Sequence, residues 1–157
     1  MKKQVYLDST IPSYLFDERP GIRAFVEITK NWWQEERSDF DLWTSQAGVV
    51  ELGRGDYPNK SEVMGCLSQI RILPSNDRIA EIVRVYQENH LMPQGLTGDA
   101  MHLAYASFYK MDFLLTWNCN HLANGNKRQH IRILNSRLGL FVPEIVTPLE
   151  LFTESIE

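Results

Sequence analysis

Four oxygen-bearing side chains fall where a chain of alternating strands and helices would gather them. Asp8 follows the apolar run Val5-Tyr6-Leu7, Glu51 follows Val49-Val50, Asp99 sits in Thr97-Gly98-Asp99, and Asn118 lies two residues past Thr116. Carboxylates brought together repel one another, and their pKa values rise unless a cation stands between them. Mg²⁺ suits that place, because it takes oxygen ligands, keeps several waters and needs only a few protein carboxylates. Each acid also has a plainer reading. Asp8 is a good helix cap, Asp99 is a first-turn acid favoured by the helix dipole, and Glu51 fits a solvated helix face. Their joint placement at the ends of successive strand–helix units carries the argument for a shared site.

The elements that must position them follow from periodicity and punctuation. Val5-Tyr6-Leu7 reads as a strand, closed by Asp8-Ser9-Thr10 and by Ile11-Pro12, a cap followed by proline in a first helical turn. Ile22, Phe25, Val26, Ile28, Trp32 and Trp33 recur at helical spacing up to the polar stretch 34–39. Asp41-Leu42-Trp43-Thr44 is a second strand, with Ser45 as cap of a helix through Leu52 that Gly53-Arg54-Gly55-Asp56 stops. A helix over 60–70, a strand at Ile72-Leu73, and a helix capped by Asn76 or Asp77 and ending near Asn89-His90 come next. Pro93-Gln94-Gly95 reads as a turn before a helix that opens at Thr97-Gly98-Asp99 and carries Ala100, Leu103, Ala104 and Ser107 on a small-residue face. Phe113-Leu114-Leu115-Thr116 is the fourth strand, followed by a helix over 129–138, a strand at 141–146 and a terminal turn from Pro148. This alternation predicts an α/β fold of three layers, a short, mainly parallel sheet covered by helices on both faces. Ligands of such sheets bind beyond the carboxyl ends of the strands, where the acids fall.

Size and composition bound the rest. The 157 residues suit one domain, 1–157, and leave too few for two independent cores. Sixteen Lys and Arg against 20 Asp and Glu give a net charge of −4, which argues against coating nucleic acid by bulk electrostatics but not against an enzyme that acts on it. Cys66 and Cys119 belong to no Cys-x-x-Cys pair, so structural zinc is not expected. No apolar run approaches the roughly 20 residues that span a bilayer, and the N-terminal apolar run is too short for a signal peptide. The expectation is a cytoplasmic protein with no membrane partner.

The ordered series Val5-Tyr6-Leu7-Asp8, Val49-Val50-Glu51-Leu52 with Arg54-Gly55-Asp56, Gly98-Asp99-Ala100-Met101-His102-Leu103-Ala104 and Asp112-Phe113-Leu114-Leu115-Thr116-Trp117-Asn118 resembles the PIN domain, and within it the prokaryotic VapC-type toxins of type II toxin–antitoxin systems. The resemblance spans nearly the whole chain. It implies a metal-dependent ribonuclease with Mg²⁺ or Mn²⁺ as cofactor, RNA as substrate and an antitoxin as partner. By motif, Asp8, Glu51 and Asp99 become the metal-holding acids, Asp8 and Asp99 as ligands and Glu51 as a ligand or water-orienting acid. The fourth position, usually the Asp of Thr-x-Asp, is Asn118 here. It can offer a neutral oxygen or a hydrogen bond, not a charge, and Trp-Asn-Cys-Asn-His resembles a recurring variant of that motif. The alternative implied is a catalytically weakened PIN fold that binds RNA or an antitoxin.

Other residues divide between substrate and structure. The Ser9 and Thr10 hydroxyls could meet a phosphate or cap a helix, and His102, three residues past Asp99, could approach the site or pack. His121 lies in a loop after Asn118 that could face substrate. Arg54 and the basic run Lys127, Arg128, His130 and Arg132 could hold RNA phosphates or be a solvated face. Trp32-Trp33, Phe25 and Tyr14 could face a second copy in a homodimer or an antitoxin helix, or pack in the core. A phosphoacceptor receiver, which also places acids at strand ends, would need an acidic pair after the first strand and a late lysine. Asp8 has no adjacent acid and residues 113–118 hold no lysine.

Overall fold

The structure, a computed structural model, describes residues 1–92 and 97–152. The turn expected at Pro93-Gln94-Gly95 lies outside the described residues. Among the described residues, five parallel strands, β1 (Lys3–Leu7), β2 (Phe40–Ser45), β3 (Arg71–Leu73), β4 (Phe113–Leu115) and β5 (Glu144–Val146), form one sheet in the order β3-β2-β1-β4-β5. The helices are α1 (Thr10–Leu15), α2 (Arg23–Glu35), α3 (Gln46–Gly53), α4 (Lys60–Leu67), α5 (Asp77–Glu88), α6 (Thr97–Phe108) and α7 (Gly125–Leu138).

Successive side chains of a strand face opposite sides of a sheet, and the two cores obey that alternation. Tyr6, Leu114 and Ile145 point to one core, built with Ile79, Ile82 and Tyr86 of α5, Leu103 of α6 and Ile131 of α7. Val5, Leu7, Leu115 and Val146 point to the other, built with Ile11 of α1, Trp32 of α2 and Val63 of α4. The expected three layers are therefore present, and every strand pairing is parallel. Trp32 is fully buried and donates from Nε1 to Leu151 O at 2.7 Å, so the aromatic pair divides as core packing requires. Burying a side chain of that size stabilises the fold by about 3 kcal/mol.

Several boundaries differ from those read in the sequence, each for a local reason. α7 starts at Gly125 rather than 129, because the Asn124 side chain accepts from Lys127 N and caps the helix one turn earlier. β5 is confined to Glu144–Val146, since Pro143 has no N–H to give to a ladder within 141–146. α4 stops at Leu67, short of Ile70, where Ser68, Gln69 and Ile70 close a tight turn on Gly65, Cys66 and Leu67 carbonyls. Ser45 stands at the N-cap of α3 but its hydroxyl makes no capping bond; it pairs instead with the Tyr6 hydroxyl at 2.7 Å. In the basic run, Lys127 donates from Nζ to Leu91 O and Arg128 from Nε to Ile145 O at 3.2 Å. Those two side chains tie the segment at Leu91 and strand β5 to α7.

Candidate active site

Asp8 leaves the carboxyl end of β1, the middle strand, next to β4, with Leu7 paired to Leu115. That register puts Asp8 beside Thr116. Asp8 is 2% exposed, and its carboxylate is held from both sides. Oδ1 accepts from Thr10 N at 3.0 Å and from Thr10 Oγ1 at 2.5 Å, while Oδ2 accepts from the Thr116 hydroxyl. The capping reading is thus partly right, since Asp8 does take an N–H at the start of α1. Thr10 is engaged twice over, because its hydroxyl also accepts from Trp117 N at 3.0 Å. It locks the loop after β4 to the loop after β1.

Asn118 begins the turn beyond β4, and the hydrogen bonds fix which way its amide points. Its Oδ1 accepts from His121 N at 3.0 Å, which turns Nδ2 toward Asp99, where it donates to Oδ2 at 2.8 Å. The neutral residue at this position holds a carboxylate that a second acid would repel. His121 contributes its backbone to that turn, and its charge lowers the Asp99 pKa.

Glu51 projects from α3 toward α6. His102 of α6 is 1% exposed, and its Nε2 lies 3.4 Å from Glu51 Oε1 and 3.2 Å from Ser9 Oγ. Its Nδ1 is 2.7 Å from the Tyr6 hydroxyl. A carboxylate only accepts, so a proton on Nε2 serves Glu51 while Tyr6 fixes the other side of the ring. Gly98 makes room for this acid. A Cβ at position 98 would meet Glu51 Oε2 at 2.4 Å, below any normal contact.

The electrostatics bind these groups into one site. Burial pushes the Asp8 pKa up against the charge of His102 and the hydroxyl bonds of Thr10 and Thr116. Burial also raises Asp99, against His102, His121 and Asn118, with Glu51 adding repulsion. Glu51 is lowered, first by the His102 hydrogen bond, over the opposing cost of burial. For His102, burial favours the neutral ring, but the Glu51 bond and the charges of Asp8, Glu51 and Asp99 together outweigh it and raise the pKa. All three expected acids therefore act on one buried histidine. Arg54 lies close enough for its charge to lower Glu51 further.

Among the described residues, no three His, Cys, Asp or Glu side chains stand close enough to make a ready metal cage. The donor chemistry still fits Mg²⁺, which keeps most of its waters and takes one or two carboxylates. A carboxylate has about four lone-pair sites, and Asp8 uses three of them on Thr10 and Thr116, leaving one on Oδ2. Among the described residues Asp99 accepts from Asn118 on Oδ2 alone, so Oδ1 could serve a cation.

The sequence reading gave the three acids and Asn118, and left His102 between site and packing. It passed over Tyr6 and Thr116 as functional groups, and it offered the Ser9 hydroxyl to a phosphate or a cap where the structure sets it against His102. Thr116 had a signal: it ends β4 in Thr-Trp-Asn, the position beside Asp8 once β1 and β4 are neighbours. Tyr6 had none, because a tyrosine in an apolar strand reads as core.

The architecture matches known toxins. A toxin–antitoxin complex from Klebsiella pneumoniae aligns with a TM-score of 0.60 at 20% identity, covering 94% of this chain and 99% of that one. The fold is that of the VapC-like PIN domain. VapBC2 from Rickettsia felis, bound to a DNA fragment from its promoter, aligns at 0.59 with 13% identity over 92% of this chain and 98% of that one. VapC20 of Mycobacterium tuberculosis, a toxin that cleaves the sarcin-ricin loop, aligns at 0.54 with 10% identity over 74% and 92%. No family model and no curated protein matches the sequence. At such identities the PIN fold is what the likeness establishes.

Proposed function

We propose that this chain is a metal-dependent endoribonuclease of the VapC toxin type, hydrolysing RNA phosphodiester bonds with Mg²⁺ or Mn²⁺. The observation that carries the reading is the convergence of Asp8, Glu51 and Asp99 on one buried histidine at the carboxyl ends of the strands. Asp8 and Asp99 would hold the cation, Glu51 would serve as a ligand or orient the attacking water, and Asn118 would keep Asp99 in place. When bound, the cation neutralises charge on the phosphate and acidifies water into a nucleophile. The protein's own part is orientation: Thr10 and Thr116 fix the Asp8 carboxylate, and His102 with Ser9 fixes Glu51. Arg54, beside Glu51, is placed to meet the phosphate backbone.

Solved structures of this fold include toxin–antitoxin complexes, which supports an antitoxin partner here. A prokaryotic cytoplasm and a homodimer belong to the same proposal. Among the described residues, no helix is long and apolar enough to cross a membrane. The alternative, a PIN fold that only binds RNA or an antitoxin, was motivated by Asn118. The Asn118 to Asp99 bond weakens that motive, because the amide does useful positioning.

Asp8→Asn tests the reading. Cleavage of RNA by purified protein should fall by about 10²-fold or more, while Mn²⁺ should raise the melting temperature of the native protein and not of the variant. Cleavage that survives the substitution, with a melting temperature indifferent to millimolar metal, refutes it.

A further inference from the structure

Beside Glu51, and outside the acid cluster, a cleft of about 520 Å³ opens between α3, α5 and α6. That is the size range of small-ligand sites. Val50, Val83 and Met101 give it apolar walls, and Gln87 and Tyr105 bring polar edges. Tyr105 is the informative residue. It is 2% exposed, its ring stacks on Tyr109 with centroids 6.3 Å apart, and it lines the cleft wall. A phenol at the wall of a cleft can donate a hydrogen bond to a ligand atom or accept one from it. Two arginines border the same space. Arg54 acts on Glu51, and among the described residues Arg84 is engaged by an exposed pair with Glu88 at 3.8 Å, which is cheap to exchange for a phosphate.

We propose that this cleft seats the nucleobase of a nucleotide flanking the scissile phosphate of a single-stranded RNA, with Arg54 and Arg84 on its phosphates and Tyr105 and Gln87 on the base edge. The proposal rests on the ribonuclease reading and adds where the substrate lies. An unpaired base has apolar faces and a hydrogen-bonding edge, the two surfaces this cleft combines. Continuity decides between RNA and other anionic partners. The cleft ends at Glu51 itself, so a chain with its phosphate at the acids would lead its next base here.

The test uses fluorescein-labelled single-stranded RNA, with an abasic ribose scanned along it, against wild type, Val50→Trp and Tyr105→Phe. Val50 is 48% exposed, so a tryptophan there fills the cleft from its rim without entering the core. Anisotropy should give about tenfold weaker binding for V50W, and a loss of up to about tenfold for Y105F. KM should rise in step, with kcat and Mn²⁺ affinity, read by electron paramagnetic resonance, unchanged. One abasic position should weaken wild type by a similar factor and cost V50W nothing more. Equal affinity of V50W and wild type refutes the subsite, as does a change of oligomeric state with RNA affinity unchanged, which would assign the cleft to a second copy. If wild type binds without cleaving and V50W weakens that binding, the subsite stands and the nuclease reading falls. No binding of RNA by wild type overturns both.

Discussion

Asn118→Asp restores the acid common in the motif, and the structure gives it a cost. In place of an N–H donated to Asp99 Oδ2 at 2.8 Å, the variant sets a second carboxylate against the first. Two unit charges roughly 3–4 Å apart at an effective dielectric constant near 20 repel by about 4 kcal/mol, and the partial exposure of Asp99 discounts that figure. Protonating one partner at pH 7 instead costs up to about 4 kcal/mol, the figure for a carboxyl titrating near 4, and less for the raised Asp99. The net penalty is about 2–4 kcal/mol, a fall in melting temperature of roughly 5–15 °C for a chain of this length. The sign with pH follows. Asp99 already titrates above its ordinary value through burial, and a neighbouring acid raises it further. A raised carboxyl contributes stability that is lost as pH rises through the folded pKa, so the deficit of N118D should grow from pH 4 to pH 7. Mn²⁺ should recover it, raising the variant's melting temperature by more than the wild type's. The assay is thermal unfolding at pH 4 and 7, with and without Mn²⁺. A variant as stable as wild type at pH 7 without metal, or a deficit that neither acid nor metal reduces, refutes the reasoning.

Two further substitutions probe the parts that hold Glu51. Gly98→Ala places a methyl 2.4 Å from Glu51 Oε2, the movable end of a side chain, so cleavage should fall about tenfold while urea unfolding changes by less than about 1 kcal/mol; full activity would show that Glu51 need not stand where it does. His102→Gln removes a buried ring bonded to Tyr6 and set between Ser9 and Glu51, at about 1–3 kcal/mol. Because the folded His102 pKa is raised above 6.5, its stabilisation is complete below that value and is lost as pH rises through the folded one. H102Q should therefore cost more at pH 6 than at pH 9 in urea titrations, and equal costs would mean that the ring matters by shape alone.

Much of this was legible in the sequence, for a physical reason in each case. Strands β1 and β4 announce themselves as apolar runs ended by polar residues, and α5 and α7 carry caps, although the Asn124 cap gives little signal because residues 124–128 hold no apolar side chain to mark a helical period. The acids were legible because each follows an element boundary. Their support was not. Thr116 reaches Asp8 across 108 positions of sequence and His102 reaches Tyr6 across 96, contacts that depend on strand order rather than on any local pattern.

Strand order also explains why the site falls where it does. β1 is central, and the chain first builds outward to β2 and β3, then returns to add β4 and β5 on the other side. At the junction of β1 and β4 the connections diverge, and a crevice opens beyond the strand ends. Asp8 and Thr116 flank that junction directly, and α6, the helix leading into β4, brings Asp99 and His102 to the same edge. α3, leaving β2, closes it with Glu51. A single net charge of −4 spread over 157 residues says nothing of this concentration. Burial raises the Asp8 and Asp99 pKa values because the fold encloses them before any cation arrives. His102 is the one basic side chain that is buried among the described residues. Its hydrogen bond to Glu51 and the nearby charges of Asp8 and Asp99 raise its pKa, so the histidine and the acids favour one another's charged forms.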